Sequence, residues 1–557
     1  MTYHAGAKMP AAIVAEYPTW RGIAQPEPVN AAQKMPRRPT KAFAQVGRSA
    51  LGRDMSNPLY THLLAPHRSS DAPFLTLPAG ETVSYAQFHQ RCGQFAQVLI
   101  DMGAKPGDRI AAQVHKSADV LALYGGCVMA GLVFLPLNPA YTVAELDYFV
   151  ANSGARVLVC DPANAAGLAD MAARNKAMLV TMSTDRTGTL CDLAQGCTPL
   201  ATVEARKPDD LAAILYTSGT TGRPKGAMLS QRNLLSNAQA LTGLWQFTKD
   251  DHLIHALPVF HTHGLFVATN ITLLTGGSMA FMPRFDLDAV IAALPHATTM
   301  MGVPTFYTRL LADARLTKSA TSNMRLFISG SAPLLADTHR QFTDRTGHRI
   351  LERYGMTETN MSTSNPYDGE RRPGTVGLPL PDVEAKVCDA TGQELPRGEV
   401  GTLEVRGDNV FQGYWQMPDK TAAELRADGF FITGDLAVMA QDGYVTIVGR
   451  GKDLIIAGGL NIYPKEVEEV IDAHPDVVES AVVGVPHPDL GEAAVAVVVP
   501  KGGAQLGPDM LQPSLDAALA RFKHPRKVIM IDALPRNTMG KVQKAALRDT
   551  YKDCFAT

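Results

Sequence analysis

Cysteine is scarce in this chain and is not organised. Seven cysteines (Cys92, Cys127, Cys160, Cys191, Cys197, Cys388 and Cys554) are spread over 557 residues, with no C-x-x-C pair. An odd number without close pairs argues against a disulfide framework and a cysteine zinc site, and a reducing cytoplasmic setting is expected. An excess of one charge is missing too: 52 Lys and Arg stand against 54 Asp and Glu. Nucleic acid and anionic membrane surfaces favour a strong basic excess, so neither is an expected partner. Long apolar runs are also lacking. The most apolar stretch, Val120 to Leu135, contains Gly125, Gly126 and Gly131 and runs into Pro136. It is shorter than the roughly 20 residues of a membrane span. It reads as a buried helix feeding a buried strand, and no span is expected. The first residues lack the apolar centre of a secretory signal, and no repeat of solenoid period is visible.

What remains is an ordinary globular composition, 46% hydrophobic and 19% charged, in a chain long enough for about two to four domains. Residues 1–54 differ from the rest. They hold eight Lys/Arg against three acidic residues, with Pro10, Pro18, Pro26, Pro28, Pro36 and Pro39. No apolar periodicity persists there, which predicts a disordered extension. It reads either as a basic targeting segment or as translated sequence ahead of a true start at Met55; the second reading is preferred.

From Met55 the pattern is α/β. Arg109–Val114, Arg156–Cys160 and Ala212–Tyr216 read as buried strands, and Ala86 to Met102 as an amphipathic helix between them. Such alternation predicts a large N-terminal domain of mostly parallel sheets with flanking helices, over 55–450. Within it, Gly398 to Val448 is richer in Gly and Asp and predicts a β-rich subdomain. The segment 451–557 predicts a small, mobile α+β domain in the order hairpin, helix (Pro464 to Ala473), strand (Val477 to Val483), strand (Ala493 to Val499), helix, strand. Gly449-Arg-Gly-Lys-Asp453 is the expected boundary.

The sharpest motif is Tyr216-Thr-Ser-Gly-Thr-Thr-Gly-Arg-Pro-Lys-Gly226, directly after a buried strand. Glycines let the backbone approach an anion closely. Thr217, Ser218, Thr220 and Thr221 offer hydroxyls, the backbone at Gly219 and Gly222 offers N–H groups, and Lys225 adds a point charge. The spacing is not that of a Walker A loop.

This loop resembles the phosphate loop of the superfamily of acyl-CoA synthetases, peptide-synthetase adenylation domains and firefly luciferases. Four further motifs follow in that family's order. Tyr354-Gly-Met-Thr-Glu358 is similar to the motif whose Thr contacts the α-phosphate and whose Glu holds Mg²⁺; this implies ATP contacts for Tyr354, Gly355 and Thr357 and metal binding by Glu358, with Thr221 as an indirect metal contact. On residues alone, Thr357 and Glu358 also fit a helix start. Phe431-Ile-Thr-Gly-Asp435 resembles the motif whose Asp accepts the ribose hydroxyls. Arg450 matches a ribose- and phosphate-contacting arginine, and Lys452 falls at the family's hinge. Pro535-Arg-Asn-Thr-Met-Gly-Lys541 resembles the loop whose lysine reaches the reacting carboxylate and α-phosphate. The resemblance further implies nucleotide contacts for Ser331, Ala332 and Pro333, an aromatic-gate position for His261, and a pantetheine passage at Gly458 and Gly459. It implies ATP, Mg²⁺ and coenzyme A as cosubstrates and cofactor, catalysis by Lys541, Thr357, Glu358 and His261, and an AMP-forming ligase as the activity.

The acid pocket of that family lies beside these motifs, and here it is decorated with charge. Arg353 precedes Tyr354, Arg309 closes Val303-Pro-Thr-Phe-Tyr-Thr-Arg309, and His263 follows His261 on an expected strand. Two arginines and a histidine can hold a second carboxylate of the substrate through bidentate bonds. Pro258–Gly264 and Glu352–Asn360 resemble the malonyl-CoA synthetase branch, which implies malonate, with methylmalonate as a slower substrate. Other readings stay open at this point: a surface ion pair for Arg309, a structural pair of Arg353 with Glu352, another short acid, a free-standing carrier-protein loader, or a non-catalytic ATP-binding relative.

Overall fold

The computed structural model describes residues 57–217, 224–458, 460–502, 504, 506–537 and 540–556. The extension 1–54, Ser218, Gly219, Thr220, Thr221, Gly222 and Gly459 lie outside the described residues.

Helix starts are encoded locally. Ser84 accepts the Gln87 backbone N–H while Gln87 accepts that of Ser84, and this reciprocal cap opens helix Tyr85–Asp101. Thr142 with Glu145 opens Val143–Ser153 in the same way, and Ser230 with Asn233 opens Gln231–Leu244. The apolar run folds as read above: every residue of helix Ala118–Met129 and of strand Val133–Pro136 is buried.

Two large sheets form the N-terminal part. The six-stranded sheet runs in the order Met178–Thr181, Val157–Cys160, Arg109–Gln113, Val133–Pro136, Leu211–Thr217, Lys225–Ser230. Its strands are parallel except for the final hairpin, which brings Thr217 opposite Lys225. The nine-stranded sheet has a parallel centre, with His252–His255, Thr299–Gly302, Leu326–Ser329 and Leu351–Met356 side by side. A four-stranded antiparallel sheet (Val383–Cys388, Val400–Gly407, Phe431–Met439, Val445–Arg450) supplies the β-rich region.

The C-terminal segment builds its own sheet. Hairpin Ile455–Ala457/Leu460–Ile462, helix Pro464–Asp472 and strands Val477–His487 and Gly491–Pro500 follow in the expected order, then helix Pro508–Ala518 and strand Lys527–Met530. A last helix, Lys544–Tyr551, was not anticipated; its Leu547 is buried among Val483, Val495 and Leu534.

Two local readings change. Tyr354–Glu358 is no helix start: Leu351–Met356 turns back as an antiparallel hairpin with Asn360–Ser364, whose five residues are all buried. Gly355 permits that turn, because a Cβ there would sit 2.7 Å from Met361 Cα. His261 and His263 are not on a strand either. Strand His252–His255 ends ahead of Pro258, which has no N–H for a ladder, and His263 opens the helical turn His263–Thr269.

Candidate active site

The parallel strands Thr299–Gly302, Leu326–Ser329 and Leu351–Met356 end together, with Gly302 beside Ser329 and Ser329 beside Glu352. Open α/β sheets bind ligands at such carboxyl ends. The residues that follow each strand line one site: Val303 onward, Gly330–Ser331, and Arg353–Glu358.

Arg353 is the most unusual group there. It is 2% exposed, and its Nε and Nη2 have no hydrogen-bond partner among the described residues. Burial holds it down to about 9. The guanidinium lies against Gly330, where a Cβ would come within 2.5 Å of Nη1. It does not pair with Glu352, because successive strand residues point to opposite faces. Glu352 instead accepts the Leu334 N–H at 3.2 Å, and burial pushes its carboxyl up to about 7 against the pull of Lys465. His263, 1% exposed, meets Ser331 Oγ through Nδ1 at 3.3 Å and leaves Nε2 unpartnered. Ser331 takes a left-handed φ of 70° to hold this position. Burial, with Arg353 and His261 nearby, keeps His263 well below its usual range; burial, with Lys541 and Arg353 nearby, pushes His261 down to about 3. Both rings are neutral at physiological pH.

Arg309 departs from expectation. It is exposed on helix Pro304–Leu311, with its guanidinium 5.9 Å from the Phe285 ring centroid. Tyr307, two residues earlier, faces inward and donates to the Ile328 carbonyl at 2.6 Å. Helix positions two apart do not share a face, so Arg309 does not join Arg353 in a clamp.

The nucleotide-side residues form a second cluster. Asp435 is opposite Arg450 across the hairpin, and Arg450 Nε lies 2.7 Å from Asp435 Oδ1. The Tyr354 hydroxyl donates to Asp435 Oδ2. Burial raises the Asp435 carboxyl despite Arg450. Ser331 and Ala332 are half-buried and Pro333 is exposed on the same strand-end loop, and Thr357 is half-buried. Lys225 does not extend freely: its ammonium meets Glu424 at 3.2 Å and the Tyr414 hydroxyl at 3.1 Å. That hydroxyl also lies 3.0 Å from Glu358 Oε1 and 2.7 Å from Glu424 Oε2. Tyr414 and Glu424 were missed from the sequence, although Gly413-Tyr-Trp415 was a visible aromatic pair after a buried strand.

The C-terminal loop reaches this site. The Asn537 N–H donates to the Lys541 carbonyl at 2.9 Å, and Asn537 Oδ1 accepts the Lys541 N–H at 3.0 Å. Gly540 faces Thr305 of the pocket helix. Burial lowers Lys541, and Arg450 lowers it further, with Asp435, Arg353 and Glu358 also acting on it. Lys452 and Gly458 are exposed, and Ile456 and Leu460 flank Gly458 at 52% and 48% exposure. Among the described residues no group of three or more His, Cys, Asp or Glu could cage a metal by itself, and no helix is long and apolar enough to cross a membrane.

Comparison with known proteins matches this arrangement. The AMP-binding enzyme family model covers residues 65–415, and the AMP-binding enzyme C-terminal domain covers 466–541. The crystal structure of ATP-bound MatB from Rhodopseudomonas palustris superposes with a TM-score of 0.88 at 56% identity, covering 90% of this chain and 100% of that one. A feruloyl-CoA synthase of Amycolatopsis sp is 37% identical over 482 residues, 85% of this chain and 94% of that protein. The malonate–CoA ligase of Arabidopsis thaliana is 34% identical over 497 residues, 83% and 81% of the two chains. With more than half its length matched by one model and a solved relative superposing over 90% of it, the chain belongs to the AMP-binding enzyme family.

Proposed function

We propose that this enzyme is an AMP-forming malonate–CoA ligase. One observation carries the choice of acid: a buried guanidinium, Arg353, at the end of the central strands, with Nε and Nη2 unpartnered among the described residues. A buried cation without a partner is costly. A substrate bearing a second carboxylate would supply the missing anion through charge-assisted bonds. A monocarboxylate such as ferulate would leave Arg353 unpaired, which disfavours it. The Arabidopsis malonate–CoA ligase supports the same reading.

In this reading the free carboxylate of malonate is held by Arg353, with His263 beside it. The other carboxylate attacks the α-phosphorus of ATP. An O–P bond forms, the bond to the β-phosphate oxygen breaks, and pyrophosphate leaves with malonyl-AMP remaining. Lys541, half-buried beside Arg450 and Asp435, would neutralise charge on the reacting carboxylate and α-phosphate. Thr357 would contact the α-phosphate. His261, neutral between Lys541 and Arg353, would shape the acyl pocket without moving a proton. Asp435 has a second lone pair on each oxygen for the ribose hydroxyls, and Arg450 orients it. Thr217, Ser218, Gly219, Thr220, Thr221, Gly222 and Lys225 would cradle the phosphates. Positioning and charge neutralisation account for most of the rate, as in phosphoryl transfer generally.

Glu358 fits a magnesium ion. It is a buried hard-oxygen donor, 4% exposed, and Mg²⁺ is commonly held by one or two carboxylates together with substrate phosphates and water. The ion would supply charge neutralisation on those phosphates. In the second half-reaction, rotation of the C-terminal segment about Lys452 would withdraw Lys541 and bring Gly458 and Gly459 to the acyl group. The CoA sulfur then bonds to the acyl carbon, the acyl–phosphate bond breaks, and AMP leaves while the thiol proton goes to solvent.

The test is CoA-dependent AMP formation with malonate, methylmalonate, succinate, acetate, butyrate and 4-coumarate in parallel. Preference for malonate supports the assignment. Preference for a monocarboxylate would keep the ligase mechanism and refute the role of Arg353.

A further inference from the structure

A basic pair lies beneath the acid pocket and takes no part in the chemistry above. Lys116 follows strand Arg109–Gln113 and is 9% exposed. Among the described residues no carboxylate pairs with it. Three acceptors surround its nitrogen instead: His255 Nδ1 at 2.9 Å, the His255 carbonyl at 2.8 Å, and the Phe281 ring centroid at 4.3 Å. Burial holds the Lys116 amine well below the usual lysine range, and these acceptors take up its N–H donors.

His255 is fully buried, and its Nε2 faces the Gly264 carbonyl at 2.9 Å. A carbonyl only accepts, so Nε2 carries the proton and Nδ1 is free to accept from Lys116. Burial, with Lys116 adjacent, keeps the ring neutral. The Thr269 hydroxyl donates to the same carbonyl at 2.9 Å. Gly264 follows His263, whose ring meets Ser331 and is pushed down by burial and by the charge of Arg353. The turn is tightly seated, because a Cβ on Gly264 would lie 2.9 Å from the Pro258 carbonyl carbon.

We propose that Lys116 and His255 are positioning residues for the acid pocket: Lys116 sets the His255 tautomer, His255 pins the Gly264 carbonyl, and together they hold the His261–His263 turn facing Arg353. This rests on the reading that Arg353 receives an anionic end of the substrate. A pair serving only the core would be replaceable by apolar side chains without selective effect on the acid. A pair that aims the turn affects the acid and leaves ATP alone.

Steady-state kinetics on the full chain test this with K116M, H255L and H255Q. Glutamine keeps an acceptor for Lys116 and a donor for Gly264; leucine keeps neither. K116M and H255L are expected to raise the KM for malonate about tenfold, the cost of leaving one buried donor or acceptor unpaired. The KM for ATP should stay within about twofold, the signature of acid-specific binding. H255Q should remain near wild type. Equal changes in both KM values, or a fall in kcat alone, would overturn the proposal. If K116M does not fold, the leucine–glutamine contrast decides, and identical acid KM values for H255L and H255Q would overturn it. Should wild type prefer a monocarboxylate, the malonate reading fails on its own. The same KM split is then measured on that acid: a selective rise supports positioning, and its absence refutes it.

Discussion

Replacing Arg353 with methionine separates two properties that the guanidinium couples. Burial lowers Arg353 from the usual arginine range to about 9. At about 1.4 kcal/mol per pKa unit, that difference is roughly 5 kcal/mol against the charged form in the fold. Relaxation and water entry in real proteins reduce such penalties, so about 2 kcal/mol is expected to appear as stability. The sign is set by linkage. Folded Arg353 binds its proton less tightly than unfolded Arg353, so the charge opposes folding at neutral pH and the opposition fades only as pH rises through about 9. R353M, without ligands at neutral pH, should therefore melt about 2 °C higher than wild type, at about 1 °C per kcal/mol for a chain of this length. It should also lose malonate kcat/KM by about a thousandfold, since removing one member of a buried charge pair costs roughly 3–5 kcal/mol. The KM for ATP should hardly move. Differential scanning fluorimetry with and without malonate and ATP, beside coupled AMP assays, reads all of this. Malonate with ATP should stabilise wild type more than the variant. A variant that melts lower than wild type, and loses every acid equally, would refute the reasoning and make Arg353 a structural residue.

Three other outcomes follow from the same geometry. Glu352, pushed up to about 7 by burial with Lys465 and Glu469 of the C-terminal helix as its charged neighbours, binds protons more tightly folded than unfolded. Wild-type stability should fall between about pH 4.5 and 7, and E352Q should lose that slope in melting curves across pH. K541A should lower acyl-AMP formation, measured by ATP–pyrophosphate exchange, by roughly two to three orders of magnitude. Conversion of supplied acyl-AMP to the CoA thioester should persist if the proposed rotation withdraws Lys541 in that step; equal loss of both halves would count against it. Y414F removes the hydroxyl that joins Lys225, Glu358 and Glu424. Exchange activity should drop about tenfold, with a higher Mg²⁺ requirement, the cost of freeing hydrogen bonds to charged groups. An unchanged Mg²⁺ dependence would show that Tyr414 does not aim Glu358.

Local sequence carried much of this protein. Capping residues, apolar runs and glycine-rich turns depend on neighbours within a few positions. They were therefore enough for the buried helix–strand unit at Ala118–Pro136, the strands that flank the phosphate loop, and the element order of the C-terminal sheet. Motif residues at matching spacings pointed to the family and to the Asp435–Arg450 and Lys541 sites. Tertiary structure decided what each charge faces. Arg309 and Arg353 look equivalent as letters. One lies on the exposed face of a helix, and the other sits at a strand end where Gly330 leaves room and no described carboxylate pairs with it. The hairpin at Tyr354 and the turn at His263 likewise depend on close approaches at Gly355 and Gly264, between backbone segments paired by the fold. Lys116 and His255 are 139 residues apart, and Tyr414 lies 189 residues from Lys225 and 56 from Glu358. Burial and pairing over such distances are properties of packing, which is why no pattern along the chain announced them.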